Sequence, residues 1–192
     1  ALEAARESIV LMKNENLLPL SATSKVLLAG PNANLKRVLA GGWSLRWIPA
    51  EEEIFPKDMH TVYTAMQKEF SNVTLASTTA EVKAKAAKAD AIVLAIGEMP
   101  YSEGFGSIQD INLPDDQIEL IQAAQATGKP VVLVMISGRP RVITKVYPGC
   151  KAVLFAGLPG FEGAQAIVEI LSGKVNPSAK LSFNFPYSVN RL

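Results

Sequence analysis

Apolar residues fall along this chain in short continuous runs, separated by segments in which they recur every three or four positions. The continuous runs lie at 25–30, 91–96, 131–137 and 152–156, and residues 72–76 form a shorter segment of the same kind. Runs of four to eight apolar residues rich in Val, Ile and Leu are typical of strands covered on both faces. The pattern therefore predicts five strands of one buried sheet.

The segments between these strands predict helices, because their apolar residues share one helical face. The predicted helices are an N-terminal one with Leu2, Ala5, Ile9 and Met12 on one face, one near 58–70, one capped by Thr79, one at 117–127 and one at 161–171. Near the end of the chain, residues 181–185 alternate apolar and polar side chains. This alternation predicts a half-exposed edge strand.

Strands that alternate with helices predict a single α/β domain. We expect a three-layer α/β/α sandwich whose sheet is mostly parallel, with an antiparallel edge strand. Gly and Pro residues follow four of the predicted strands, at 30–31, 97, 138–140 and 157–160. Because the carboxyl ends of parallel strands share one edge, where open α/β sheets bind ligands, we expect the functional surface there.

The loop after the strand 91–96 carries the most informative side chains. Glu98 and Glu103 lie in this loop, with Tyr101 between them and several glycines nearby. A carboxylate held in a pocket at a strand end is a candidate general acid or base. The ordinary alternative is a pair of solvated surface glutamates.

Two further features lie in loops of the same predicted edge. Trp43 and Trp47 are the only tryptophans and follow two glycines. They either pack into the core or stack on the apolar face of a sugar ring, and the pattern leaves both readings open. Arg139 ends the strand 131–137, and we expect it to pair with a carboxylate and order the neighbouring loops.

Composition removes several classes of chemistry. A formal net charge of +1 gives no strong field for nucleic acid or a membrane surface. No apolar run approaches the roughly 18–20 residues that span a bilayer. Cys150 and His60 are each the only residue of their type. We therefore predict no metal and no cofactor, and a Ser/His/Asp triad only if His60 is its base.

The turn after the first strand has a nucleotide-binding alternative. Residues 30–34, GPNAN, follow a strand as phosphate-binding glycines do. The spacing is not G-x-G-x-x-G, and no Lys-Ser/Thr pair follows. A tight turn explains the residues equally well.

An ordered series of seven segments resembles the second, α/β-sandwich domain of family 3 glycoside hydrolases, the β-glucosidase and β-xylosidase group. The resemblance covers essentially the whole chain. The segments are AARESIVLMKNENLLPL, VLLAGPNAN, GGWSLRW, AIVLAIGEMPYSEGFGS, INLPDDQIELI, TGKPVVLVMISGRP and LPGFEGAQAIVEILSGKVNPSAKLSFNFP. Seven such segments in order are far more specific than any one of them.

The resemblance implies roles for the candidate residues. In this family a loop of the sandwich domain contributes the acid/base glutamate, before a glycine in segments such as Y-x-E-G, which here selects Glu103 over Glu98. Glu98 then anchors the loop. Trp47 resembles the aromatic that lines the leaving-group subsite. We predict that Trp43, Trp47, Tyr101 and Glu98 contact substrate.

The resemblance also implies partners and a division of the chain. We expect residues 1–24 to be an N-terminal helix and linker that follow a β-barrel domain carrying an aspartate nucleophile, and residues 25–192 to be the sandwich domain. The expected substrate is a β-glucoside or oligosaccharide, with no nucleic acid and no membrane, in a periplasmic or secreted setting. The alternative is a non-catalytic module that binds sugar or stabilises the barrel.

Overall fold

A computed structural model describes residues 1–190 of the chain, which form one six-stranded sheet with helices on both faces. The strands are β1 (Val10–Asn14), β2 (Lys25–Ala29), β3 (Asn72–Ala76), β4 (Ala91–Gly97), β5 (Val131–Ile136) and β6 (Ala152–Gly157). The helices are α1 (Leu2–Ser8), α2 (Arg37–Ala40), α3 (Val62–Glu69), α4 (Thr79–Lys85), α5 (Asp115–Gln125) and α6 (Gly163–Ser172). None of the described helices is both long and apolar enough to cross a membrane.

The sheet has the strand order β1-β6-β5-β4-β2-β3, and only β1 runs antiparallel to its neighbour. Every residue of β4 and β5 is buried, as continuous apolar runs require. Helices α1, α2, α3 and α6 pack on one face and α4 and α5 on the other. The predicted three-layer α/β/α sandwich is therefore confirmed.

The N-terminal segment differs from the prediction. The expected helix through Met12 ends at Ser8, and Val10–Asn14 is β1, which pairs antiparallel with β6. Ile9 and Val10 are both buried, and such adjacent β-branched residues suit extended backbone better than a helix. Residues 10–14, which we assigned to a helix and linker, thus belong to the sheet. That the segment 1–24 follows a barrel stays a prediction.

The predicted edge strand at 181–185 is wrong, because no strand forms there. The antiparallel edge position is occupied by β1 instead. Phe183 and Phe185 pack edge-on against Phe155 of β6, at centroid distances of 5.7 Å each. The alternation of apolar residues therefore reflects side-chain packing on the sheet and not strand pairing.

The starts of α3 and α4 also differ slightly from the sequence prediction. Thr61 caps α3 through a reciprocal bond pattern with Thr64, so His60 precedes the helix and does not lie in its first turn. Thr78, and not Thr79, caps α4 by accepting from the Glu81 backbone N–H. Both helices keep the faces that the pattern predicted.

The loops after β2, β4, β5 and β6 share one edge, called here the carboxyl edge. Gly30 and Gly97 bring two of these loops against neighbouring strands, with φ of +107° and +140°. A Cβ at Gly30 would lie 2.1 Å from the Ala95 carbonyl oxygen, and one at Gly97 would lie 1.8 Å from that of Ile136. Strand connections reverse direction between β2 and β4, which is the binding crevice of open α/β sheets.

Candidate functional site

Glu103 lies in the loop after β4, at the start of a short 3-10 turn. Its backbone is left-handed, with φ of +50°, a conformation that residues other than glycine adopt rarely. The residue is exposed, and its side chain makes no hydrogen bond or ion pair with any described residue. The loop therefore presents an unengaged carboxylate at the carboxyl edge.

Glu98 has the opposite environment. Its side chain is only 8% exposed and forms ion pairs with Arg139, at 3.1 Å, and with Arg141. The Ser137 hydroxyl donates to the other carboxylate oxygen at 2.7 Å. These contacts support the anchoring role, and they confirm the expected pairing of Arg139 with a carboxylate. Contact between Glu98 and substrate stays a prediction.

Arg141, which the sequence reasoning missed, ties this anchor to the following loop. It donates from Nη1 to the carbonyl oxygens of Asp110 and Asn112, at 3.1 Å each. Its remaining contacts are to Glu98. An arginine two positions beyond Arg139 in the same polar turn is the only sequence signal for this role.

Tyr101 lies against Arg139. The guanidinium carbon is 4.1 Å from the centre of the Tyr101 ring, and Arg139 Nε donates to the phenol oxygen at 3.0 Å. The tyrosine is partly buried. Its hydroxyl is thus already engaged within the protein, while its part in substrate binding stays a prediction.

The two tryptophans lie on the loop after α2 and are exposed, Trp43 by 66% and Trp47 by 42%. Trp43 has a left-handed backbone, with φ of +56°. The rings are 6.5 Å apart, and Phe105 packs edge-on against Trp47 at 5.3 Å. The structure thus favours a surface aromatic cluster over a core pair, and it adds Phe105, which sequence reasoning missed.

The aromatic loop and the glutamate loop are joined directly. The Ser102 hydroxyl donates to the Trp47 backbone carbonyl. A Cβ at Gly42 would lie 2.2 Å from the Tyr101 carbonyl oxygen, so the two backbones are in contact. Glu103 and Trp47 therefore belong to one continuous surface.

An open cleft of about 370 Å³ lies beside this surface. Its lining includes Glu98, Tyr101, Phe105, Arg139 and Arg141, whereas Glu103 and the tryptophans do not line it. Small-molecule sites normally enclose most of the ligand surface. The described residues of this chain do not enclose a sugar ring around Glu103.

The remaining sequence candidates are used by the fold. Lys68 Nζ lies 2.6 Å from His60 Nε2. The pKa of His60 is lowered mainly by burial and, to a smaller extent, by the positive charge of Lys68. Cys150 is buried, which raises the pKa of its thiol. Within residues 1–190, no group of three His, Cys, Asp or Glu side chains is arranged to hold a metal ion.

Two backbone N–H groups of the GPNAN turn and the side-chain N–H of Asn32 are bonded within the protein, whereas Asn32 Oδ1 is buried without a partner among the described residues. The Asn32 backbone N–H bonds the Ala95 carbonyl at 3.1 Å, and that of Ala33 bonds the Gly30 carbonyl at 3.1 Å. The Asn32 side chain, fully buried, donates to the Ile136 carbonyl at 3.0 Å. Two amides that a phosphate would need are therefore occupied, which favours the tight-turn reading.

Comparison with known proteins gives consistent matches. The model of the glycosyl hydrolase family 3 C-terminal domain matches residues 9–192. The lysosomal beta glucosidase of Dictyostelium discoideum is 38% identical over 97% of this chain, and the periplasmic beta-glucosidase of Salmonella typhimurium is 31% identical over 100%. This chain spans 25% and 29% of the length of those two proteins.

Solved structures agree with the sequence matches. The beta-glucosidase from Listeria innocua in complex with glucose superposes with a TM-score of 0.87 at 34% identity, over 97% of this chain and 26% of that one. The family model covers well over half of the chain, and several relatives exceed 30% identity. The chain therefore belongs to glycosyl hydrolase family 3, as a C-terminal domain of the β-glucosidase-like type.

Proposed function

We propose that this chain is the domain that contributes the acid/base residue of a retaining, exo-acting β-glycosidase, and that Glu103 is that residue. The expected substrate is a terminal, non-reducing β-D-glucosyl residue of a glucoside or oligosaccharide. The single observation that carries the proposal is the unengaged Glu103 carboxylate on a left-handed turn, beside the exposed aromatic cluster of Trp43, Trp47 and Phe105.

The contrast between the two loop glutamates supports this choice. A proton donor must reach the glycosidic oxygen, so its carboxyl group must be accessible. The Glu98 side chain is 8% exposed and lies between two arginines. Both of its carboxylate oxygens are already bonded to protein donors, so neither is free to approach a glycosidic oxygen. Glu103 has neither restriction.

The proposed chemistry follows the two-carboxylate pattern of retaining glycosidases. A nucleophilic carboxylate attacks the anomeric carbon while Glu103 gives its proton to the departing oxygen, and a glycosyl ester forms. Glu103, now ionised, removes a proton from water, which displaces the ester and regenerates both groups. The two carboxyl groups of such enzymes stand about 5–5.5 Å apart. We propose that the nucleophile lies on a barrel domain that precedes this chain.

The aromatic cluster has a place in the same scheme. We propose that Trp47 stacks on the aglycone at the leaving-group side, with Phe105 packed edge-on against its ring at 5.3 Å. The Salmonella relative is named periplasmic and the Dictyostelium relative lysosomal, and we propose a periplasmic or secreted setting for the whole protein.

The test replaces Glu103 in the full-length protein. Glu103→Ala should lower kcat/KM for a phenyl β-glucoside by about 10²–10⁴-fold, the usual contribution of general acid catalysis. Azide added with a dinitrophenyl β-glucoside should restore turnover and give β-glucosyl azide, because the small anion attacks the glycosyl ester without a base. Glu119→Ala, which removes an exposed carboxylate on α5, is the matched control.

Two results would contradict the assignment. Unchanged turnover in Glu103→Ala would favour the non-catalytic alternative, in which the domain only binds sugar or stabilises the barrel. A larger loss with azide rescue in Glu98→Ala would transfer the acid/base role to Glu98.

A further inference from the structure

We propose that Arg139 is a positioning residue that sets the place of Glu103 by holding Tyr101. This inference rests on the proposed acid/base role of Glu103. Because the Glu103 side chain has no partner among the described residues, its position depends on the backbone before it. Ser102, directly before Glu103, is buried and donates to the Trp47 carbonyl, and Tyr101 before it is held by contacts to both its ring and its hydroxyl.

Arg139 fixes both the ring and the hydroxyl of Tyr101. Its guanidinium carbon lies 4.1 Å from the ring centre, a stacked cation–π distance, and its Nε donates to the phenol oxygen at 3.0 Å. The same Nε lies 3.1 Å from the Glu98 carboxylate. Only a planar guanidinium can stack on a ring and donate along its edge at the same time.

Glycines enclose Tyr101 elsewhere, which leaves it little freedom. A Cβ at Gly106 would lie 2.4 Å from the ring, and one at Gly138 would lie 2.8 Å from the phenol oxygen. At the backbone, a Cβ at Gly42 would lie 2.2 Å from the Tyr101 carbonyl oxygen. Tyr101 therefore lies in a pocket, called here the Tyr101 pocket, that is formed by Arg139 on one side and by Gly42, Gly106 and Gly138 on the others.

The Tyr101 pocket affects both the loop that carries Glu103 and the loop that carries Trp47. Ser102 follows Tyr101 and donates to the Trp47 carbonyl, so the position of Tyr101 is coupled to the aromatic loop as well as to Glu103. Arg139 itself is 22% exposed at the side chain and lines the cleft beside the site. Its engaged contacts are to protein groups, which is why we assign it a positioning role.

Removing Arg139 leaves the anchor beneath the loop paired. Glu98 retains Arg141 and the Ser137 hydroxyl. Arg139→Ala therefore leaves no buried carboxylate without a partner, and the domain should fold. The variant loses one of the two ion pairs of Glu98, together with the stacking and the hydrogen bond that hold Tyr101.

The test uses the dependence of kcat/KM on the leaving group, measured in the full-length protein. A misplaced general acid lowers kcat/KM most when the departing oxygen is basic, and least when the leaving group departs without a proton. Arg139→Ala should lower kcat/KM about 10–100-fold for a phenyl or alkyl β-glucoside, as expected for an acid displaced by about 1 Å. For a dinitrophenyl β-glucoside the loss should stay below about threefold.

Arg6→Ala is the matched control, because Arg6 also pairs with a glutamate whose side chain is 8% exposed, at 2.6 Å, but lies on α1. Arg6→Ala should change kcat/KM for the two substrates by the same factor. Gly106→Ala is the second variant, since its new methyl group would push the Tyr101 ring from another side. It should reproduce the selective loss on basic leaving groups, and Arg139→Lys, which keeps the charge without the planar stack, should show most of the same loss.

The outcomes separate this inference from the proposed function. Equal losses on both substrates in Arg139→Ala and Gly106→Ala would overturn the positioning role, whatever Glu103→Ala shows. No loss on either substrate would overturn it as well. If Glu103→Ala is itself fully active, the proposed acid/base function is wrong. That conclusion does not depend on the result for the Arg139 variants.

Discussion

Gly97, at the carboxyl end of β4, is held by one side chain on both of its backbone polar groups. The Gln117 amide accepts from the Gly97 N–H and donates to the Gly97 carbonyl, at 2.9 Å each. Gln117 is buried on α5, so neither group can turn to water instead. The place where the glutamate loop leaves the sheet is thus fixed by a helix on the opposite face from α6.

Replacing the single residue Gln117 should therefore lower the free energy of unfolding of the domain. Gln117→Leu keeps the approximate shape but leaves a buried N–H and a buried carbonyl without partners, at about 1–3 kcal/mol each. We expect a loss of about 2–6 kcal/mol in the free energy of unfolding, measured by urea titration of the 192-residue chain. Gln122→Leu, an exposed position of the same helix, should stay within about 0.5 kcal/mol. Similar curves for the two variants would contradict this role.

At the scale of elements, α1 is attached to α6 by an ion pair. Arg6 Nε lies 2.6 Å from Glu169, whose other oxygen accepts from Arg6 and from Gln165. The hydrogen bond from Arg6 holds the pKa of Glu169 below its usual value of 4.5. A carboxylate whose pKa is depressed on folding adds stability above its unfolded pKa and loses that contribution as the pH falls through its folded value.

This contact predicts a pH dependence. Glu169→Gln removes the charge, so the variant should unfold at a lower urea concentration than the parent at pH 7. The difference should begin to shrink as the pH falls below about 4.5, where the unfolded glutamate takes up a proton, and it should disappear only below the depressed pKa of the folded state. Glu7→Gln, an exposed residue of α1, should follow the parent at every pH. A difference that stays constant down to pH about 2 would contradict the ion-pair explanation.

At the scale of the whole molecule, exposed apolar side chains gather at the carboxyl edge. Among the described residues, eight of the eleven large exposed apolar side chains lie in loops that follow β2, β4 and β6. They are Trp43, Leu45, Trp47, Met99, Phe105, Ile108, Leu158 and Phe161. Such a concentration of exposed apolar side chains is typical of a surface that binds a ligand or another domain.

The chain by itself should be folded and inactive. Its core and complete sheet favour a cooperative unfolding transition, measured by circular dichroism. Without a second carboxylate at about 5–5.5 Å from Glu103, however, hydrolysis of an aryl β-glucoside should equal that of the Glu103→Ala chain. Turnover above that background by the parent chain alone would contradict the division of the two catalytic groups between domains.

An element could be predicted from the sequence when its residue pattern follows from its own burial, and it could not when the pattern depends on a partner far along the chain. β4 and β5 were predictable, because strands buried on both faces are apolar at every position. β1 was not, because its pattern Val10–Asn14 depends on β6, more than 130 residues away, to make an edge strand of it. The same limit explains the error at 181–185, where aromatic residues cover Phe155.

The site shows the same division. The pairing of Arg139 with a carboxylate was expected from its place after β5, and the structure identifies Glu98 as the partner. The contact of Ser102 with Trp47 was not predictable, because it requires β2 and β4 to be neighbours in the sheet. Phe105 was missed for the same reason.

The two outer strands of the sheet end its growth in different ways. β1 carries an irregularity between Leu11 and Lys13 that breaks the regular spacing of its backbone groups. At β3, Lys85 reaches over to the Leu75 carbonyl at 2.9 Å and occupies an acceptor that a foreign strand would need. Bulges and lysines are the devices by which proteins keep open sheets from recruiting further chains. Both outer strands therefore carry features that oppose the pairing of a further strand, whereas the carboxyl edge is where the described residues leave apolar side chains exposed.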